Sequence, residues 1–167
     1  IYADATTING SLVVGTSFSA QSVQIQGPTL FTAGDLRRDD YIMAATTTNA
    51  TQTNLLRLGG IGFVVDAQTV VTYEILVTGV RSDSQFVSGG PNNIESVTIR
   101  LTGQAGYSGS AYYMPTPVKE IVYRGSNALG WDATFALFSD YPAIIVTGVA
   151  SKTIRWSARV IAVRTAI

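Results

Sequence analysis

The sequence predicts an all-β protein: a short β-rich stem segment followed by an antiparallel, jelly-roll-like β-sandwich. Three observations carry this. Apolar residues recur with a period of two along several segments. Gly, Pro, Asn and Asp cluster between those segments in turn-forming combinations. No stretch repeats apolar residues at the spacing of an amphipathic helix beyond Asn54–Leu58, which is expected to form at most one helical turn. Strands that follow one another through short connections without intervening helices indicate an antiparallel sandwich.

The first segment, residues 1–34, has Asp4 as its only charged residue. Ile8, Leu12 and Val14 share one parity, and Val23 and Ile25 resume it after a shift. Breaks at Asn9-Gly10 and Gly15 mark turns. Two or three short strands cannot bury a core alone. The segment is therefore expected to wrap around copies of itself on a symmetry axis, as a homotrimer. Its bland alternative is a strand pair packed on the next domain.

Residues 35–167 read as the sandwich. Gly62–Asp66 is an expected short strand. In Thr69–Val80, the residues Val71, Tyr73, Ile75 and Val77 share a face, opposite Thr72, Glu74 and Thr78. Ile94–Thr102 places Val97, Ile99 and Leu101 on one face. Val118–Arg124, Ala133–Phe138 and Ala143–Ala150 follow. Thr153–Thr165 alternates Ile154, Trp156, Ala158, Val160 and Ala162 with Arg155, Ser157 and Arg159, which makes Trp156 a core residue. Between Ile94–Thr102 and Val118–Arg124, residues 103–115 read as a loop. Such β-branched and aromatic content suits a half-buried pleated surface.

Composition excludes several kinds of chemistry. The chain has no cysteine and no histidine, which removes Cys/His zinc sites and Ser-His-Asp or Cys-His catalysis within one chain. Eleven basic residues balance eleven acidic ones, so the cationic excess that meets a phosphate backbone is missing, and no nucleic-acid partner is expected. No apolar run reaches the ~18 residues of a membrane span; neither membrane insertion nor a cofactor is expected. Asp83, Glu95, Glu120, Asp132 and Asp140 are candidate acids for glycoside hydrolysis, but no spacing pairs two of them. No catalytic residue is assigned and the chain is read as a non-enzyme. Asp35, Arg37, Arg38, Asp39 and Asp40 form a charged knot, read as a solvated linker or an inter-subunit ion-pair set rather than a metal loop.

Two stretches resemble a known family. Thr7-Ile8-Asn9-Gly10-Ser11-Leu12-Val13-Val14, with Gly15-Thr16, Ala20 and Val23-Gln24-Ile25, is similar to a phrase in tailed-phage fibre and host-specificity proteins that joins a trimeric stem to the next domain. Ser17-Phe18 stands where that phrase usually has Ile. The closing run Val146–Val160 resembles the last hairpin of fibre-tip and virion-surface domains. The resemblance implies a tail-fibre or tail-tip receptor-binding protein. Such a protein is a virion component, assembled in the host cytoplasm and acting at the host cell surface on a glycan or outer-membrane protein. A structural trimerisation or decoration module is the alternative, and a polysaccharide depolymerase a further one. In the receptor reading, residues 1–34 are the stem and 35–167 the tip domain. The candidate contacts are Tyr107 and Tyr112 in the glycine-rich loop, Trp131 and Asp132 at a loop–strand junction, and Asn92 and Asn93 in the polar loop 83–93. Tyrosine and tryptophan offer apolar area plus a polar tip, which suits recognition.

Overall fold

The computed structural model describes residues 22–26, 36–57, 60, 62–82 and 95–166. Its strands are β1 (Ser22–Gln26), β2 (Leu36–Thr47), β3 (Gln52–Asn54), β4 (Thr69–Arg81), β5 (Ser96–Tyr107), β6 (Tyr112–Tyr113), β7 (Val118–Arg124), β8 (Asp132–Phe138), β9 (Tyr141–Thr147) and β10 (Ile154–Ala166). They form two sheets, every neighbouring pair antiparallel. The larger runs β1-β2-β10-β4-β5, with β6 and β7 placed one after the other along the far edge of β5; the smaller is β3-β9-β8. The protein is an all-β sandwich with one broad and one narrow sheet.

Period-two patterning sets which face is buried. Val71, Tyr73, Ile75 and Val77 of β4 point inward with Val97, Ile99 and Leu101 of β5 and Ile154, Trp156, Ala158, Val160 and Ala162 of β10. They meet Ala133 and Phe135 of β8 and Ile144 and Val146 of β9. Each large aliphatic side chain so buried contributes roughly 1.5–3 kcal/mol. A slip of one residue would turn all of them to water, so burial fixes the register. The C-terminal strand β10 is paired on both sides, with β2 and with β4.

Two glycines sit inside strands to make room for aromatic rings. Gly79 pairs with Trp156, and a Cβ on Gly79 would lie 2.6 Å from the indole. Gly103 pairs with Tyr73, and a Cβ there would lie 2.7 Å from the phenol oxygen. Hence β5 continues through Gly103 and Gly106, where a loop is expected from the sequence. The Tyr73 hydroxyl is pushed up to about 12 by burial.

Three other expectations are corrected. The charged knot is not a linker: residues 36–40 open β2, one strand from the centre of the sheet. Asp39 and Asp40 point to opposite faces. Asp39 is buried and receives a hydrogen bond from the buried Arg164, whose guanidinium also lies 3.5 Å from Asp66. Asp40 pairs with Arg159 on the outer face at 2.7 Å. Residues 54–57, the described part of the expected helical turn, are not helical: Asn54 ends β3, the Leu55 N–H donates to the Ile144 carbonyl, and Leu56 bridges to Ala44. Gly62–Asp66 runs extended outside any ladder, with Phe63 and Val65 inward and Val64 outward. Phe63 meets the Phe135 ring edge-on at 4.8 Å and the Tyr73 ring at 6.2 Å.

The outer face of the broad sheet carries a row of alternating charges. Asp40 on β2 pairs with Arg159 on β10, which also feels Glu74 on β4. Glu74 lies 3.5 Å from Arg100 on β5, and Arg100 lies 3.1 Å from Glu120 on β7. Arg159 holds the Asp40 carboxyl below the ordinary carboxylate range, chiefly through its hydrogen bond.

Of the expected stem, only the backbone of 22–26 lies within the described residues. It pairs in register with residues 37–41 of β2 and so extends the domain's own sheet. The boundary expected at 34–35 lies outside the described residues.

Candidate functional site

The β5–β6 hairpin brings two of the candidate residues together. Tyr107 and Tyr112 are directly opposite in the ladder. Their rings stack at 4.4 Å with an interplanar angle of 22°. The connection 108–111 is closed by the Ser108 N–H donating to the Ala111 carbonyl, with Gly109 at φ +96°. The Tyr107 hydroxyl donates to the Gly109 carbonyl at 2.9 Å. Tyr107 is thereby spent on holding the hairpin. It backs Tyr112, which lines a groove.

That groove measures about 420 Å³. One wall is Tyr112 with residues 114–117; the other is residues 134–137 of β8. Pro115 and Pro117 break the edge ladder between β6 and β7, because proline offers no N–H to pair. The segment between the two strands therefore arches over β8 and leaves the gap. Leu137, 49% exposed, lies in its wall, and the exposed Tyr141 stands near Tyr112. None of the lining residues is charged. The Tyr112 hydroxyl is raised above its ordinary value by burial, and further by neighbouring Tyr107 and Tyr141. The site offers aromatic and aliphatic surface with hydroxyls at Tyr112, Thr116 and Thr134. This donor set favours a neutral, hydroxyl-bearing ligand, and holds no nucleophile–base pair.

Trp131 is not an exposed platform. It is completely buried, 0% exposed, and meets Trp156 edge-on at 6.1 Å. Gly130, at φ +82°, turns the chain so that the indole points inward. The Lys152 ammonium lies 5.9 Å from the Trp131 ring centroid and is held by Glu95 at 2.7 Å. Asp132 is half-buried and receives both of its hydrogen bonds from Lys119 at 2.8 Å, tying β7 to β8. Trp131 immediately precedes β8 and Asp132 opens it, whereas Tyr112 reaches its far end. The candidates thus fall at two ends of the sandwich and do not form one site. Asn92 and Asn93 lie outside the described residues, as does Asp83.

The other candidate acids are engaged or isolated. Glu95 takes Arg81 at 2.9 Å as well as Lys152. Burial alone would raise its carboxyl, but hydrogen bonds and charge from Lys152 and Arg81 outweigh this and lower it. Glu120 pairs with Arg100, and Asp140 stands in the β8–β9 turn.

Leu137 and the Pro-x-Pro arch complete the groove without being expected from the sequence. The signal available was Met114-Pro115-Thr116-Pro117, two prolines bounding an apolar edge strand.

No protein-family model and no curated protein matches the chain. Among solved structures it is similar to a tailspike protein of the Acinetobacter baumannii bacteriophage Fri1, a capsular polysaccharide depolymerase. The TM-score is 0.48 and the identity 11% over 90% of this chain. The chain spans 20% of that protein's length. Likeness at that level leaves function to the residues themselves.

Proposed function

We propose that this chain is the host-facing part of a phage tail fibre or tail-tip protein, which attaches a virion to a bacterial surface. It acts as a trimer, and its receptor site is the tyrosine end of the sandwich. The setting rests on the two family-like phrases in the sequence together with the all-β sandwich. The observation that carries the site is the stacked Tyr107–Tyr112 pair bordering an uncharged groove. Such a surface binds by shape, hydrogen bonds and aromatic faces, as on the apolar face of a sugar ring or an uncharged protein loop. The reading is non-enzymatic, and it is supported by the ion pairs that engage Glu95, Glu120 and Asp132.

The test is adsorption to host cells by Tyr112→Ala and Leu137→Ala, with melting temperature and mass checked first. A well-folded Tyr112→Ala protein is expected to adsorb at least ~10-fold more weakly at one site, a loss of about 1.4 kcal/mol. Multivalency softens the whole-cell effect, since tethered sites raise avidity ~10²–10⁴-fold. If both folded variants adsorb like the parent, the groove is not the receptor surface. Release of reducing sugar from host polysaccharide would instead support a depolymerase.

A further inference from the structure

The edge strand β7 carries exposed apolar side chains on both of its faces. Its sequence, Val118-Lys119-Glu120-Ile121-Val122-Tyr123-Arg124, holds three charged residues, and each has a polar partner within the domain. Lys119 binds Asp132, Glu120 binds Arg100, and Arg124 donates to the Trp131 carbonyl at 3.1 Å. The four apolar side chains are exposed as well. Val118 is 71% exposed, Ile121 47%, Val122 49% and Tyr123 53%. The register sets Val118 and Tyr123 beside Thr102 and Thr98 on the outer face, and Ile121 beside Ile99 on the inner face. Val122 is the extra residue of a β-bulge. Apolar surface therefore appears on both sides of a strand that pairs only with β5 among the described residues. Edge strands of monomers usually point charge outward to block such contacts.

We propose that β7 is a subunit seam, and that its occupant is a second copy of this chain, seated through the residues that precede β1. This deepens the assembly part of the proposed function and leaves the receptor site untouched. The charge balance selects the occupant. A strip with its charges already internally paired suits an uncharged apolar strand, and residues 1–21 contain one charged residue, Asp4. Geometry selects a neighbouring copy over the chain's own segment. The strands β1 and β7 lie at opposite edges of one sheet, five strand spacings apart, or about 24 Å. The 21 residues before Ser22 span up to about 70 Å when extended, so reach is ample either way. A chain's own segment, however, would cover the exposed Asp40–Arg159–Glu74–Arg100–Glu120 row on its way, stripping water from ion pairs and returning no hydrogen bonds. A neighbour meets the edge directly. Edge-to-opposite-edge contact is head-to-tail, and such contacts form a ring when the rotation between copies closes.

The experiment uses the full chain. Parent mass by light scattering is expected near three times 17.7 kDa, and near 17.7 kDa for Val118→Lys combined with Tyr123→Lys. Because the chain lacks cysteine, disulfide trapping gives a second readout that needs no destabilising charge. Val122→Cys is paired in turn with Ile8→Cys, Leu12→Cys or Val14→Cys and oxidised. Covalent multimers from at least one pair, absent from each single variant, support the seam. A monomeric parent, an unchanged mass in a folded double-lysine variant, a disulfide confined within one chain, a covalent dimer of Val122→Cys alone, or no cross-link from any pair would each overturn it. Adsorption by Tyr112→Ala reads the receptor groove separately, so either idea can fail alone.

Discussion

Where β8 begins, Trp131 lies edge-on against Trp156 beneath the Lys152–Glu95 ion pair. Where β8 ends, Tyr112 lies flat against Tyr107 and leaves its far side open to a groove. Both aromatics follow glycine-rich turns, and from the sequence both are expected to contact a ligand. What separates them is how the chain enters the strand. Gly130 takes a left-handed conformation that sends the next side chain into the core. The two tyrosines instead flank a hairpin, pair with each other, and stop at the sandwich mouth. An aromatic residue near a turn is thus a site only where the sheets leave it unroofed.

The largest expected effect breaks this comparison directly. Trp131→Ala and Trp156→Ala should each cost on the order of 3–5 kcal/mol, a large share of a ~5–15 kcal/mol total, and thermal unfolding reads it. Trp156 also donates from Nε1 to the Thr47 hydroxyl at 2.9 Å. Tyr112→Ala, at the open end, should cost less than half as much. Equal losses would mean that the two ends are equally sealed.

Gly79→Ala probes the fit around Trp156. A methyl group 2.6 Å from the indole forces one of them to move, and such overpacking costs about 1–3 kcal/mol. The same change at Gly109, which has open space around it, should cost mainly the strain of a left-handed backbone, about 1–2 kcal/mol. A neutral Gly79→Ala would show that the Trp156 pocket has slack.

Glu95→Gln tests the ion pair beside Trp131. The Glu95 carboxyl is lowered in the folded protein, because Lys152 and Arg81 outweigh the burial that alone would raise it. A lowered carboxyl adds stability above its unfolded value and loses it as pH falls through the folded one. Denaturant titrations should therefore show the variant about 1–3 kcal/mol weaker at pH 7, with the gap closing below about pH 4. A gap that stays constant down to pH 3 would place the contribution elsewhere.

The smallest effect lies at the tyrosine end. Ser139 and Asp140 join β8 to β9 at φ +49° and +68°, a two-residue turn with both central residues left-handed. Asp140→Gly should raise stability by about 0.5–1 kcal/mol and move the melting temperature up slightly. A fall instead would show that the Asp140 side chain holds the turn.

Local patterning made much of the sandwich legible. The inward set of β4 and β10 and the core place of Trp156 follow from period-two alternation, and β7 has the bounds the sequence predicts. The start of β2 was hidden because Arg37, Arg38, Asp39 and Asp40 obscure that alternation. Asp39 can face the core because Arg164, 125 residues away, arrives beside it. Arg164 itself keeps the inward parity of Trp156 and Val160, so the parity was readable and the partner was not. Tyr107 and Tyr112 were visible as a cluster, whereas their stacking depends on a hairpin register that local sequence leaves open.

The charge row on the broad sheet has a consequence at a distance. Arg38 beside Asp40 adds a third base to the row's three acids and two bases, so the signs balance, and salt screens what remains beyond about 8 Å at physiological ionic strength. That face therefore casts almost no far field. Approach to a charged cell envelope is neither drawn in nor pushed away by it, and the encounter rate should be nearly independent of added salt.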